Sequence, residues 1–317
     1  MSGTRPLTPW VAPVGVIDDF LPLELAARMR EDIEAHFAAP DAHGRTHQVW
    51  NYWFVPELST YLRTAPEKII RRDRVDAFIR ALQAWSVVTL GMGNVTWPSL
   101  CLYVGGCRQA LHNEAADGRF GFVYSLTRDQ RRTIGGETLV FCESALSHHN
   151  LVDASAGRRF YDVVEPKFNR LVVLDDRLPH AVERIDGSMD PIEGRIELRG
   201  HLRETGTMVA GDLPEEVVEA SLTGLFRDFA ERNSARIALY QGALVLCFVI
   251  SATGSVETCD TLVDRVVHQD PRHAEWEALR GDLVSRLKML KFPPALGETA
   301  VTKPLVFGAP LPGKAWH

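Results

Sequence analysis

Apolar residues recur at two different periods along this chain, and the change of period divides it. Leu25, Met29 and Ile33 stand four apart, which predicts a helix opening near Pro22-Leu23 and ending about Phe37. Val75, Phe78, Ile79 and Leu82 predict a second helix over 73–86. Residues 42–56, with His43, His47, Trp50, Tyr52 and Trp53, keep no period and read as a loop. From Val95 to Leu202 short alternating runs are broken by turn signals such as Gly105-Gly106 and Gly135-Gly136, which suits a β-sandwich or barrel.

The pattern shifts again after a glycine-containing linker at 205–211. Val217, Val218, Leu222, Leu225, Phe226 and Phe229 line one face of a helix that opens at Leu213-Pro214 and ends about Glu231. An apolar strand over 243–250, a turn at Ala252-Thr253-Gly254-Ser255 and a return strand over 256–263 follow. A helix over 273–289, stopped by Pro293-Pro294, and a strand over 301–307 complete the order. The expected division is a mainly β domain over 1–206 and a small α+β domain over 207–317.

Composition narrows the class. The 317 residues leave room for one large or two medium domains, and 45% hydrophobic with 24% charged residues are ordinary for a soluble globular chain. A net charge of −6 without a dense Lys/Arg run excludes nucleic acid as the expected partner. Residues 1–16 lack a signal-peptide pattern and no apolar run reaches spanning length, so a cytoplasmic protein without a membrane partner is expected. The five cysteines, Cys101, Cys107, Cys142, Cys247 and Cys259, are odd in number and contain no C-x-x-C pair, which suits core thiols rather than disulfides.

The chemistry concentrates in His112-Asn113-Glu114 and His180. On an extended strand, residues two apart point the same way, so His112 and Glu114 can grip one ion while a distant strand brings the second imidazole. Two imidazoles and one carboxylate on one face of a ferrous ion are the facial set of non-haem iron oxygenases. Other histidines carry less. His148-His149 would point to opposite faces of a strand and read as loop, and His201, near the end of the last β-domain strand, reads as structural. Cys142 with His148 lacks a framing motif, and no G-x-S-x-G occurs. Arg128, Arg131 and Arg132 read as a solvated turn.

Six ordered elements frame these residues: Tyr103-Val104-Gly105-Gly106, His112-Asn113-Glu114, Gly135-Gly136-Glu137-Thr138, Asn169 to Asp175, His180 and Arg195. Together they resemble the 2-oxoglutarate and Fe(II)-dependent oxygenases, closest to the prolyl-4-hydroxylase-like branch, over residues 14–204. The resemblance implies a double-stranded β-helix (jelly roll) with flanking helices. It further implies iron on His112, Glu114 and His180, and 2-oxoglutarate anchored by Arg195 and Tyr103. A polar insertion, Asp186 to Gly194, lengthens the gap before Arg195, so Arg199 and Arg203 stay open as alternative anchors. Arg195, Glu197 and Arg199 share a strand face, where a buried guanidinium needs an anion such as a remote carboxylate. A carboxylate at 114 argues against the halogenase variant of the family.

The expected function is therefore oxidation, most simply hydroxylation, of an amino-acid, peptide or small-molecule substrate. Fe(II), 2-oxoglutarate and O2 take part, and succinate and CO2 leave. Trp50, Tyr52 and Trp53 are either an apolar lid or a substrate mouth. Two readings compete: a cupin-type metal dioxygenase that uses no 2-oxoglutarate, and a non-catalytic jelly-roll binding module. The segment from Leu244 to Val256 and Leu290-Lys291-Phe292-Pro293-Pro294 resemble the C-terminal domains of TonB-type proteins. Here a packing role, or homo-oligomer formation through exposed edge strands, is expected of that domain.

Overall fold

The computed structural model describes residues 8–39, 49–128, 132–141, 160–268 and 275–308. His43, His47, Arg131, Cys142, His148 and His149 lie outside the described residues. Residues 13–84 and 94–203 form one compact unit, and the described residues within 1–12, 85–93 and 204–317 form another.

The first unit is mainly β. Its strands are β1 (Val14–Ile17), β2 (Asn51–Val55), β3 (Ser59–Thr64), β4 (Asn94–Val95), β5 (Ser99–Tyr103), β6 (Arg108–His112) and β7 (Phe120–Ser125). There follow β8 (Thr133–Ile134), β9 (Thr138–Phe141), β10 (Tyr161–Val164), β11 (Arg170–Asp175), β12 (His180–Val182), β13 (Asp186–Gly187) and β14 (Arg195–Arg203). Twelve of them make one antiparallel sheet in the order β1-β11-β7-β14-β5-β3-β6-β12-β9-β10, with β2 on β3 and β4 on β14. The sheet curls, because residues of β12 and of β14 line one cavity. This is the jelly-roll plan that the resemblance implies, within the sandwich-or-barrel class that the strand and turn spacing suits.

Alternation sets what each face carries. On β14, Ile196, Leu198 and Leu202 are fully buried in the apolar layer, while Arg195, Glu197, Arg199 and His201 turn to the cavity. Helix α1 (Leu23–Ala38) buries Met29 and Ile33, as its period predicts, but leaves Leu25 half-buried; it also buries Ala26 and Arg30, and Arg30 donates to Leu126 O (3.0 Å) and Glu34 Oε1 (3.0 Å). Helix α2 (Arg72–Leu90) continues four residues past the predicted end. It stops where Gly91 adopts φ +64°, a left-handed geometry that glycine takes without strain. The stretch read as a loop contains a strand instead. Tyr52 pairs with Leu62 and Trp53 with Tyr61 in the β2–β3 hairpin. Every residue of β2 is exposed, so no alternation marks it in the sequence.

The second unit holds a four-stranded sheet ordered β15 (Met208–Gly211), β18 (Thr299–Phe307), β16 (Tyr240–Ile250) and β17 (Val256–His268). Helices Glu215–Arg232 and Trp276–Met289 contribute Val218, Leu222, Phe229, Leu279, Leu283 and Leu287 to its core. The long edge strand β17 is partly covered: Trp10 N–H donates to Leu262 O (2.8 Å) and Asp264 N–H to Trp10 O (3.0 Å). No helix among the described residues is long and apolar enough to cross a membrane.

Candidate metal centre

The curled sheet brings His112 and His180 into register. His112 ends β6, His180 opens β12, and the two are direct cross-strand partners with ring centroids 4.4 Å apart. Glu114 arrives differently from the sequence expectation, since β6 ends at His112. Glu114 sits in the following turn, where its N–H donates to Asp176 O (3.0 Å). That bond aims the carboxylate back at both rings. Oε1 is 3.8 Å from His112 Nε2, and Oε2 is 3.7 Å from His180 Nε2.

Hydrogen bonds fix the tautomers. His112 Nδ1 lies 2.8 Å from Ala110 O and His180 Nδ1 3.0 Å from Leu178 O. A carbonyl only accepts, so each Nδ1 carries the proton and each Nε2 presents a lone pair. The Gln109 side chain agrees: its Oε1 accepts from Tyr103 Oη (3.1 Å) and Arg199 Nη1 (2.8 Å), so its amide N–H donates to His112 Nε2 (3.0 Å). Burial and the neighbouring His180 push the His112 pKa down. Burial alone would raise the Glu114 pKa, but the His180 contact, Arg199 and His201 hold it at about 2. Two imidazoles with unprotonated Nε2 atoms and one ionised carboxylate fit a divalent iron ion.

The expected cosubstrate residues are placed less simply. Arg195 is buried on the cavity face, but its guanidinium is already shared among protein acceptors. Nε donates to Glu197 Oε2 (2.6 Å), Nη2 to Thr138 Oγ1 (2.8 Å) and Nη1 to Gly136 O. Arg199, four residues on, donates to two neutral groups, Gln109 Oε1 (2.8 Å) and Tyr61 Oη (2.8 Å), and pairs with no carboxylate among the described residues. Tyr103 is fully buried, stacks on Tyr61 at 5.1 Å and spends its hydroxyl on Gln109. Arg203 is exposed and bonds to Asp117 O.

A cavity of about 350 Å³ joins these groups, with Glu114, His180, Arg195, Glu197, Arg199 and His201 in its wall. Trp97 and Arg63 line it as well, whereas Trp50, Tyr52 and Trp53 do not. Trp50 instead stacks on Phe37 (5.9 Å) and donates to His36 Nε2 (3.2 Å), while Tyr52 and Trp53 stand on the exposed hairpin. Sequence reasoning passed over Gln109 and Asp176 and read His201 as structural. The strand period could have found His201, because it shares parity with Arg195, Glu197 and Arg199.

No protein-family model and no curated protein sequence matches this chain. Solved structures do share part of its shape. A prolyl-4-hydroxylase from Pseudomonas putida aligns at TM-score 0.41 and 17% identity, over 61% of this chain and 92% of that one. A prolyl hydroxylase from Trichoplax adhaerens, in complex with a hypoxia-inducible-factor peptide fragment, aligns at 0.40 and 14%, over 59% and 81%. The non-haem α-ketoglutarate-dependent epimerase SnoN from nogalamycin biosynthesis aligns at 0.42 and 13%, over 61% and 79%. At these values the chemistry has to be read from the residues of this chain.

Proposed function

We propose that this protein is a mononuclear non-haem Fe(II) oxygenase acting on an amino-acid, peptide or other small substrate, with a 2-oxo acid such as 2-oxoglutarate as cosubstrate. One observation carries the reading: His112, Glu114 and His180 offer three ligand atoms within 4.8 Å of one another, with protonation already set for a cation. When bound there, iron supplies the redox chemistry that couples O2 reduction to decarboxylation of the 2-oxo acid and oxidation of the substrate.

The protein's share is to bind and orient. Arg199 is a half-buried cavity cation with no carboxylate partner among the described residues, and it reaches Gln109 beside His112, so it is assigned the distal carboxylate of the cosubstrate, in a charge-assisted contact. Gln109 links Arg199 to His112 Nε2, the atom an ion would take, so its contact with His112 gives way on metal binding while its contact with Arg199 can stay. Arg195, which the family resemblance favours for this role, is held by Glu197 and supports the wall of the cavity.

Anaerobic Fe(II) titration of the wild type, His112→Ala and His180→Ala, followed by a succinate assay with 2-oxoglutarate, tests this reading. Iron binding that is lost in both variants, together with succinate formation, is expected. Arg199→Leu should raise the apparent KM for 2-oxoglutarate about 10- to 100-fold, the worth of a hydrogen bond to a charged group. Unchanged Fe(II) affinity in both histidine variants would overturn the assignment. A second reading rests on Glu197: because it already fills the Arg195 guanidinium, the centre could serve an oxygenase that needs no 2-oxo acid. Iron binding and O2 consumption without succinate would select it.

A further inference from the structure

A second arginine in the cavity wall also lacks a carboxylate. Arg63, near the end of β3, is half-buried, and its Nε donates to the neutral Ser99 hydroxyl (2.8 Å). The Trp53 ring lies 5.9 Å from its Cζ, within cation–π range. These two contacts hold the side chain, and its two Nη groups donate to no acceptor among the described residues. Ser99 is in turn the cross-strand partner of Arg199, so β3 and β14 flank β5 and each brings one arginine to the same cavity. Across one intervening strand the two backbones stand about 10 Å apart.

The carboxylates of the wall do not answer this charge. Glu197 is spent on Arg195, and Glu114 faces His112 and His180. Asp117 lines the cavity too, but it is exposed and forms no ion pair with Arg63. A guanidinium that faces a cavity with only neutral protein partners is completed by an anion arriving with a ligand. Arg199 is assigned to the cosubstrate, which leaves Arg63 for a different anion.

We infer that Arg63 binds a carboxylate of the substrate, so that the substrate is an amino acid or a short peptide held by its terminal carboxylate. This rests on the proposed function and deepens it by naming the substrate class. The cavity of about 350 Å³ is at the small end of ligand sites and must also receive the 2-oxo acid, so only a small acid fits beside it. One guanidinium balances one negative charge, which suits a carboxylate better than a phosphate ester, whose charge at neutral pH approaches two. The flat Nη edge also matches two carboxylate oxygens. Trp97, in the same wall, spends its indole N–H on Glu67 Oε2 (2.9 Å) and offers ring surface to the carbon skeleton.

The full-length protein, loaded anaerobically with Co(II) and saturated with 2-oxoglutarate, provides the test. Thermal-shift screening pairs each standard L-amino acid, and a set of di- and tripeptides, with its C-terminal amide, and calorimetry follows on those that bind. At least one acid should bind, with its amide about 10- to 100-fold weaker, the worth of a hydrogen bond to a charged group. Arg63→Leu should weaken that acid by the same factor and erase its advantage over the amide, while Arg63→Lys keeps part of it. Circular dichroism confirms that both variants are folded. Acids that bind no better than their amides, or no binding by any acid, would overturn the inference. So would phenyl phosphate binding through Arg63 in place of the acids, which would point to a phosphate-bearing substrate. Weaker 2-oxoglutarate in Arg63→Leu, with the acid lost in Arg199→Leu, would overturn it by exchanging the two roles. A wild type that takes up neither Co(II) nor 2-oxoglutarate would sink the proposed function and this inference with it. Uptake of both without an Arg63-dependent acid would sink the inference alone.

Discussion

Arg195 and Glu197, two residues apart on one face of β14, form an ion pair in which neither side chain reaches solvent. Glu197 thereby gives Arg195 the counter-charge that the sequence pattern assigns to a bound dicarboxylate, whereas Arg199, on the same strand face, has only the neutral partners Gln109 and Tyr61.

Removing one partner of this pair strands a buried charge. Glu197→Ala should cost about 3–5 kcal/mol, as should Arg195→Met, whereas the double change to Met and Leu should cost less than either single one. Urea denaturation of the three variants checks this. Single-variant losses under about 1 kcal/mol would show that the pair is not an energetic unit.

Asp18, just after β1, takes a two-pronged contact from Arg170 at the start of β11 (2.6 and 3.1 Å), with Lys167 at 3.2 Å. The Arg170 hydrogen bond lowers its pKa from 3.8 to about 2. A depressed folded-state pKa stabilises the protein above the unfolded value, and that contribution disappears as pH falls from about 4 to about 2. Asp18→Asn should therefore unfold at lower urea than the wild type at pH 6, with the gap narrowing toward pH 3. A gap independent of pH would contradict this. Asp18 is partly exposed, so the effect is small.

Cys101, fully buried on β5, has its thiol pushed up to about 11, chiefly by burial. Alkylation at pH 8, mapped by mass spectrometry, should leave Cys101 unmodified until the protein unfolds, because the thiolate is the reactive form. Labelling in the native state at the rate of a free thiol would refute the placement.

Residues 8–12 occupy part of the β17 edge through Trp10, and Arg265 Nη1 adds a bond to Val11 O (2.9 Å). Deleting residues 1–12 uncovers a 13-residue edge strand, which should pair with other chains. Light scattering should report a larger species for the deletion variant than for the full chain. Identical masses would mean that the edge is protected by other means.

Much of this was legible from period alone. The apolar spacing of Met29 and Ile33 placed α1, and the strand-and-turn rhythm placed the sheet that sets His112 against His180. What escaped depends on pairings that no local pattern carries. Asp176 meets His201 across a separation of 25 residues, and Glu114 is aimed by a backbone bond outside any strand. The Glu197 plug was visible as a shared face, but only packing shows that its carboxylate reaches Arg195. Trp50, Tyr52 and Trp53 stand outside the cavity wall, a placement that aromatic content alone does not reveal because it says nothing about direction.

The chain passes between its two compact units four times, at 12/13, 84/85, 93/94 and 203/204. The ribosome therefore delivers residues 8–12 and 85–93 long before β16, β17 and β18, the strands of the unit they belong to. Trp10 and Trp85, whose rings meet edge-to-face at 5.9 Å, must wait through the synthesis of β4 to β14 before their strands exist. A nascent chain stalled near residue 206 would carry every candidate ligand and still hold two orphaned segments. Molecular chaperones are expected to find it there.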